Sequence, residues 1–182
     1  MVYVILADGF EEIEAMTPVD VLRRAGADVK TLGITGKKVI GAHGITVECD
    51  LCESDDSFDI TKAEMLVFPG GMPGASNIDS FEKTDGYIKT VLENCGYIGA
   101  ICAAPMILGR RGYLKGKHAV CFPGFEKYLT GAEISDLDVV RDGNIVTSRC
   151  MGTSLPFAIE LVSCLYGSVK AESVKAAVMG LS

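Results

Sequence analysis

The stretch Tyr97-Ile98-Gly99-Ala100-Ile101-Cys102-Ala103-Ala104-Pro105-Met106-Ile107-Leu108-Gly109-Arg110 decides the fold. Its first five residues are apolar or small throughout, the pattern of a strand buried on both faces, and residues 103–110 read as a helix opened by small residues. The same unit recurs outward from it. Residues 2–7 form an apolar run that stops at Asp8-Gly9, and residues 65–68 form another that stops at Pro69-Gly70-Gly71. Residues 28–34 read as a strand, 38–40 and 45–49 as a hairpin around the Gly41 to Gly44 turn, and 81–94 as a helix. Further on, 119–122 is strand-like, 138–141 and 144–148 are a strand pair, and 153–166 and 171–179 are helices. After the first strand, Thr17 reads as an N-cap with Pro18 at the first helical position and Gly26 as the stop; whether residues 11–16 form an earlier turn stays open. Strands alternating with helices predict a mostly parallel, doubly wound α/β sheet with helices on both faces.

Composition bounds what such a domain does. The 182 residues carry 17 Lys and Arg against 24 Asp and Glu, a formal charge of −7, with 48% hydrophobic residues. That is one domain's worth of chain, 1–182, undivided by linker, repeat or low-complexity segment, and it buries roughly two-thirds of its unfolded surface. Disorder is excluded, and the acidic balance argues against nucleic acid or an anionic membrane as partner. The apolar N-terminus has no basic region and runs straight into Asp8, Glu11, Glu12 and Glu14, so the expectation is a cytoplasmic protein with reduced thiols.

Ligands of such sheets bind beyond the carboxyl ends of the strands. Neither glycine-rich turn there has GxGxxG spacing or a P-loop lysine, so nucleotide and flavin cofactors are not expected, nor is a metal. Cys102 stands where a nucleophile elbow would stand, between strand and helix. A thiol at a helix start gains the positive end of the dipole and free backbone amides, which favour the thiolate. Those amides, one from Ala103 and one from the Gly70-Gly71 turn, have the makings of an oxyanion hole. The competing reading is a buried cysteine acting as a small hydrophobe. One acid from Glu11, Glu12 or Glu14 can reach the sulfur, and it must be protonated to help. Cys49 and Cys52 form a C-x-x-C without a second pair, which predicts neither zinc nor a redox helix.

Four motifs in order resemble the DJ-1/PfpI (ThiJ/PfpI) family, in particular its DJ-1-type branch. They are Ile5 to Glu14 with Pro18-Val19-Asp20, Phe68-Pro69-Gly70-Gly71, Ala100-Ile101-Cys102-Ala103-Ala104-Pro105, and Thr147-Ser148-Arg149 with Gly152-Thr153. The resemblance implies a flavodoxin-like α/β/α sandwich of class I glutamine amidotransferase-like type and a homodimer. It implies a reactive Cys102, a protonated Glu14 bonded to that sulfur, and an oxyanion hole from the amides of Gly71 and Ala103. It also implies a cofactor-free glyoxalase acting on reactive carbonyls such as methylglyoxal, and a deglycase activity on glycated amines and thiols. Oxidation of Cys102 in a redox sensor or chaperone is the alternative.

Departures from the family pattern matter as much. Peptidase-like members have His directly after the nucleophile, where this chain has Ala103, which argues against a cysteine peptidase. Phe122 stands where other members carry His, and His43 where close relatives have Arg. Neither His43 nor His118 is placed beside Cys102 by any motif, so His43 reads as a solvated turn residue or a pocket residue. Arg149 reads as a surface ion pair or as a pocket or interface residue. Cys121 and Cys150 fall near the rim, as candidates to resolve an oxidised Cys102.

Overall fold

The computed structural model describes residues 1–181. Strand β1 (Val2–Leu6) is buried along its whole length, and its alternate side chains feed two cores. Tyr3, Ile5 and Ala7 join one apolar cluster and Val2, Val4 and Leu6 the other. Two-sided burial is the reason a continuous apolar run, and not an alternating one, forms this strand.

Helix α1 follows at Glu12–Ala25 and ends on Gly26 in the left-handed conformation. Pro18 lies inside it, so Thr17 is not the cap and the helix starts at Glu12. A proline there offers no N–H to the Glu14 carbonyl four residues back, and the helix continues because Ala15, Val19 and Leu22 bury its inner face. Next come β2 (Val29–Gly33), the hairpin β3 (Lys38–Ile40) with β4 (Thr46–Glu48), and a short strand β5 (Leu51–Cys52). The chain then forms β6 (Met65–Phe68), α2 (Gly74–Ser80), α3 (Thr84–Glu93), β7 (Tyr97–Ile101) and α4 (Pro105–Arg110). The remainder is β8 (His118–Ala119), β9 (Glu133–Ile134), β10 (Val139–Asp142), β11 (Ile145–Ser148), α5 (Ser154–Tyr166) and α6 (Ser168–Val178).

The helix expected over 81–94 starts only at Thr84, with α2 standing before it, and the strand expected over 119–122 is reduced to a two-residue pairing. Among the described residues the main sheet runs β10-β11-β7-β6-β1-β2-β5, parallel except for β10 against β11. α2, α3 and α4 cover one face; α1, α5 and α6 cover the other. This is the expected flavodoxin-like α/β sandwich. The adjacency β7-β6-β1 puts the segments after these three strands side by side, and they hold Cys102, Gly70-Gly71, and Asp8 to Glu11 followed by the start of α1 with Glu14. No helix of the described residues is long and apolar enough to cross a membrane.

Candidate active site

Cys102 sits at the tip of the β7 turn with φ of +63°, a left-handed conformation that an L residue adopts at a cost of about 1–3 kcal/mol. Its neighbours hold it there. The Cys102 N–H donates to the Ser148 carbonyl at 2.9 Å, and the Phe122 N–H donates to the Cys102 carbonyl at 2.8 Å. The chain therefore turns sharply at Cys102, between strand and helix, and leaves the residue half-buried. α4 begins at Pro105, two residues later than expected, because residues 102–104 are spent on the turn.

Gly70 is the residue that lets the acid and the thiol meet. A Cβ at this position would lie 2.6 Å from Glu14 Oε2 and 2.7 Å from Cys102 Cβ. The Gly70 N–H donates to Glu14 Oε2 at 2.8 Å. Gly71 has φ of +83°, and a Cβ there would come within 2.3 Å of the Glu11 nitrogen, so this position also requires glycine. The backbone amides of Gly71 and Ala103 pull the Cys102 thiol pKa down, against burial.

Glu14 has no exposed surface, and its Oε1 is buried without a hydrogen-bond partner. Burial pushes its carboxyl up to about 7, against the pull of the Cys102 thiol and the Gly70 amide. An unpaired carboxylate oxygen in such a place is costly, whereas a protonated one has a hydrogen to offer the sulfur. The Cys102 thiol is pushed up as well, first by burial and then by the charge of Glu14. The expectation that the helix start alone favours the thiolate is thus corrected. The charge of Glu14 opposes ionisation of the thiol beside it, so the two groups titrate as a pair.

The other predicted residues divide. Phe122 flanks the site through its backbone bond to Cys102, with its ring 43% exposed and edge-on to Phe125. His43 is not simply solvated. Its Nδ1 lies 2.9 Å from Glu12 Oε2 and 3.7 Å from Glu11, and its N–H donates to Glu12 Oε1 at 2.8 Å. The hydrogen bond to Glu12 raises the His43 pKa. Glu12, Glu11 and His43 present donor atoms within 4.8 Å of one another, but the Glu12 oxygens are taken up in locking the β3–β4 hairpin onto α1. This role of Glu12 was not visible in the sequence, since the contact spans 31 positions.

Arg149 is an ion-pair residue, donating to the Asp136 carbonyl and lying 3.4 Å from Asp138, and it lines a small cavity with Cys121 and Glu126. His118 pairs with Glu133 at 3.4 Å. All seven cysteines are free; burial pushes the Cys121 thiol up to about 12 and Cys49 to about 11.

Fold and site together define a class, the flavodoxin-like α/β proteins with a cysteine elbow facing a buried carboxyl. The chain belongs to the DJ-1/PfpI family, whose profile it matches over residues 1–164. It is 36% identical over 176 residues to the Parkinson disease protein 7 homolog of Danio rerio, covering 95% of this chain and 93% of that one. A protein of Thermococcus kodakarensis named deglycase TK1284 is 33% identical over 167 residues, with 90% of this chain and 98% of that one aligned. The crystal structure of Drosophila melanogaster DJ-1beta superimposes with a TM-score of 0.91 at 32% identity, over 98% of this chain and 96% of that one.

Proposed function

We propose that this protein is a cysteine-dependent, cofactor-independent enzyme of the glyoxalase type, acting on small reactive carbonyls such as methylglyoxal. The observation that carries the reading is the Gly70 gap, across which a fully buried carboxyl and a thiol meet beside two amide donors. The Cys102 thiolate adds to the aldehyde carbon, and the oxygen that becomes negative receives the N–H groups of Gly71 and Ala103 and a proton from Glu14. Glu14, now a carboxylate, takes the hydrogen from the former aldehyde carbon and returns it to the adjacent carbon, while the hydroxyl proton passes from the former aldehyde oxygen to the former ketone oxygen, leaving a lactyl thioester. Water then hydrolyses the thioester, so that methylglyoxal plus water becomes lactate and the thiol is restored. No oxidant or cofactor enters this balance.

A deglycase activity on glycated amines and thiols needs the same addition at a carbonyl carbon, and a relative named as a deglycase supports it. A histidine-assisted peptidase is not supported, since His43 and His118 are bonded to Glu12 and paired with Glu133. The purified protein mixed with methylglyoxal and followed by proton NMR is expected to form lactate catalytically. Lactate formation no faster than in buffer would overturn the reading.

The proposed enzyme acts as a homodimer in a reducing compartment such as the cytoplasm. Two apolar grooves, of about 570 and 620 Å³, share Leu155 and are lined by Ile13 and Met16 of α1, Ile159 of α5, and Val178 and Met179 at the end of α6. Such a patch on one side of the molecule supports a self-complementary contact. Light scattering is expected to give twice the 19.3 kDa chain mass, and Leu155→Glu to give a monomer that keeps its fold. A wild-type monomer at micromolar concentration would remove the proposal.

A further inference from the structure

A second polar cluster lies away from Cys102, at the far ends of the two short helices that start beside it. Asp79, near the end of α2, has a side chain only 10% exposed and sits between Arg110 and Arg111, which close α4. Its two carboxylate oxygens take Nη1 of Arg110 and Nη1 of Arg111. Arg111 Nη2 also donates to the Asp79 carbonyl at 2.6 Å, and Arg111 Nη1 donates to the Ile107 carbonyl of its own helix at 2.9 Å. Arg111 is therefore bonded to both helices at once. Arg110 is braced in turn by the Tyr128 ring, 4.3 Å below its guanidinium carbon.

Each helix continues a turn of the site. Ala75 N–H donates to the Gly71 carbonyl at 2.9 Å, Gly74 N–H to the Gly9 carbonyl at 3.1 Å, and Asn77 Nδ2 to the Asp8 carbonyl at 2.9 Å. On the other side, Met106 N–H donates to the Ala103 carbonyl at 3.2 Å and Ile107 N–H to the Ala104 carbonyl at 2.9 Å. Both helices are short, about 10 Å end to end, so a displacement at one end is felt at the other. Between them lie Ala75, Ile78, Ile107 and Leu108, all in one apolar cluster. Apolar contact is non-directional and opposes sliding weakly, whereas charge-assisted hydrogen bonds from both Arg111 Nη nitrogens to Asp79 fix register.

We infer that Asp79 and Arg111 act as positioning residues for the site, fixing α2 against α4 and thereby the separation of the Gly71 and Ala103 N–H groups that face Cys102. This rests on the roles proposed above for those two amides. The network also reaches α3, since Arg111 Nε lies 3.8 Å from Asp85, and Asp79 stands at the end of the helix that follows directly on the Gly70-Gly71 turn.

The test compares wild type with Asp79→Asn and Arg111→Lys. It measures the rate of Cys102 alkylation by iodoacetamide across pH, together with methylglyoxal turnover. The expected result is an alkylation midpoint about half a unit higher in both variants. Turnover should fall about tenfold in kcat with KM within about twofold, because misplaced donors weaken the transition state and not substrate capture. Arg111→Lys keeps the charge and loses the second donor, so it serves if Asp79→Asn fails to fold. Folded variants with a lower Tm but an unchanged alkylation profile and kcat would overturn the inference and leave the cluster a stability element. Alkylation needs no carbonyl substrate, so a wild type without turnover would count against the proposed activity alone, and the midpoint shift would still decide the clamp.

Discussion

Cys102→Ser is expected to remove lactate formation from methylglyoxal, with kcat/KM falling by about 10³-fold or more, while the protein stays folded. A factor of 10³ corresponds to about 4 kcal/mol of transition-state stabilisation. The loss is that large because nothing beside residue 102 can activate a hydroxyl. Both imidazoles are engaged elsewhere, and Glu14, held protonated to about pH 7, is an acid in the resting pair and not a strong base. Serine is similar in size and occupies the same left-handed conformation, so the backbone bonds from Phe122 and to Ser148 remain. Cys102→Gly gives a complementary result. It removes the nucleophile and also relieves the positive φ, so the inactive variant is expected to gain stability of about 1 kcal/mol, read as an increase in Tm. A Cys102→Ser protein that kept more than a tenth of its activity would dismiss the sulfur from the mechanism.

The sequence made the centre of this molecule legible because its central strands are buried on both sides. Residues 2–7, 65–68 and 97–101 are continuous apolar runs, a pattern with few competing readings, and their turns follow from the glycines and from Cys102 itself. Elements held by distant contacts were not legible. Strand β5 is two residues long and forms only by pairing Leu51 and Cys52 with Leu32 and Gly33. α2 opens Gly-Ala-Ser-Asn, of which Gly, Ser and Asn are weak helix formers, and is held by Ala75 donating to Gly71 and by buried Ile78. Pro18 misled because a proline after a threonine marks a helix start by local rules, while the burial of Ala15 and Val19 decides the outcome. The same division applies to the site. Cys102 stands out by its place in a turn and Glu14 by the family motif, but the state of their protons does not, since it depends on how deeply Glu14 is buried and on the amides of Gly70, Gly71 and Ala103. His43 and Glu12 find each other only across the folded hairpin.

Glu14→Gln is expected to lower turnover by about 10²- to 10⁴-fold and to stabilise the protein at alkaline pH. Glutamine keeps the shape: its oxygen can accept the Gly70 N–H, and its amide can donate toward the sulfur as the protonated acid does. It cannot deliver or recover a proton, which is the step assigned to Glu14. The stability effect has a definite sign. Unfolded, the carboxyl loses its proton near 4.5; folded, near 7. Between these values the native state binds the extra proton, so the native protein loses stability as pH rises through that window, by about 3 kcal/mol once it is crossed. The variant has no such group and escapes the loss. At pH 5 the two proteins should therefore melt alike, while at pH 8 the variant should melt several degrees higher. The thiol responds too. With no carboxylate to oppose a second anion, Cys102 in Glu14→Gln should alkylate with a midpoint below that of wild type. The wild-type rate of methylglyoxal turnover should rise through about pH 7, where the pair sheds its first proton, and this limb should vanish in the variant. Equal melting at pH 8 combined with unchanged alkylation would mean that Glu14 is ionised in the folded protein and acts only as a structural acceptor for Gly70.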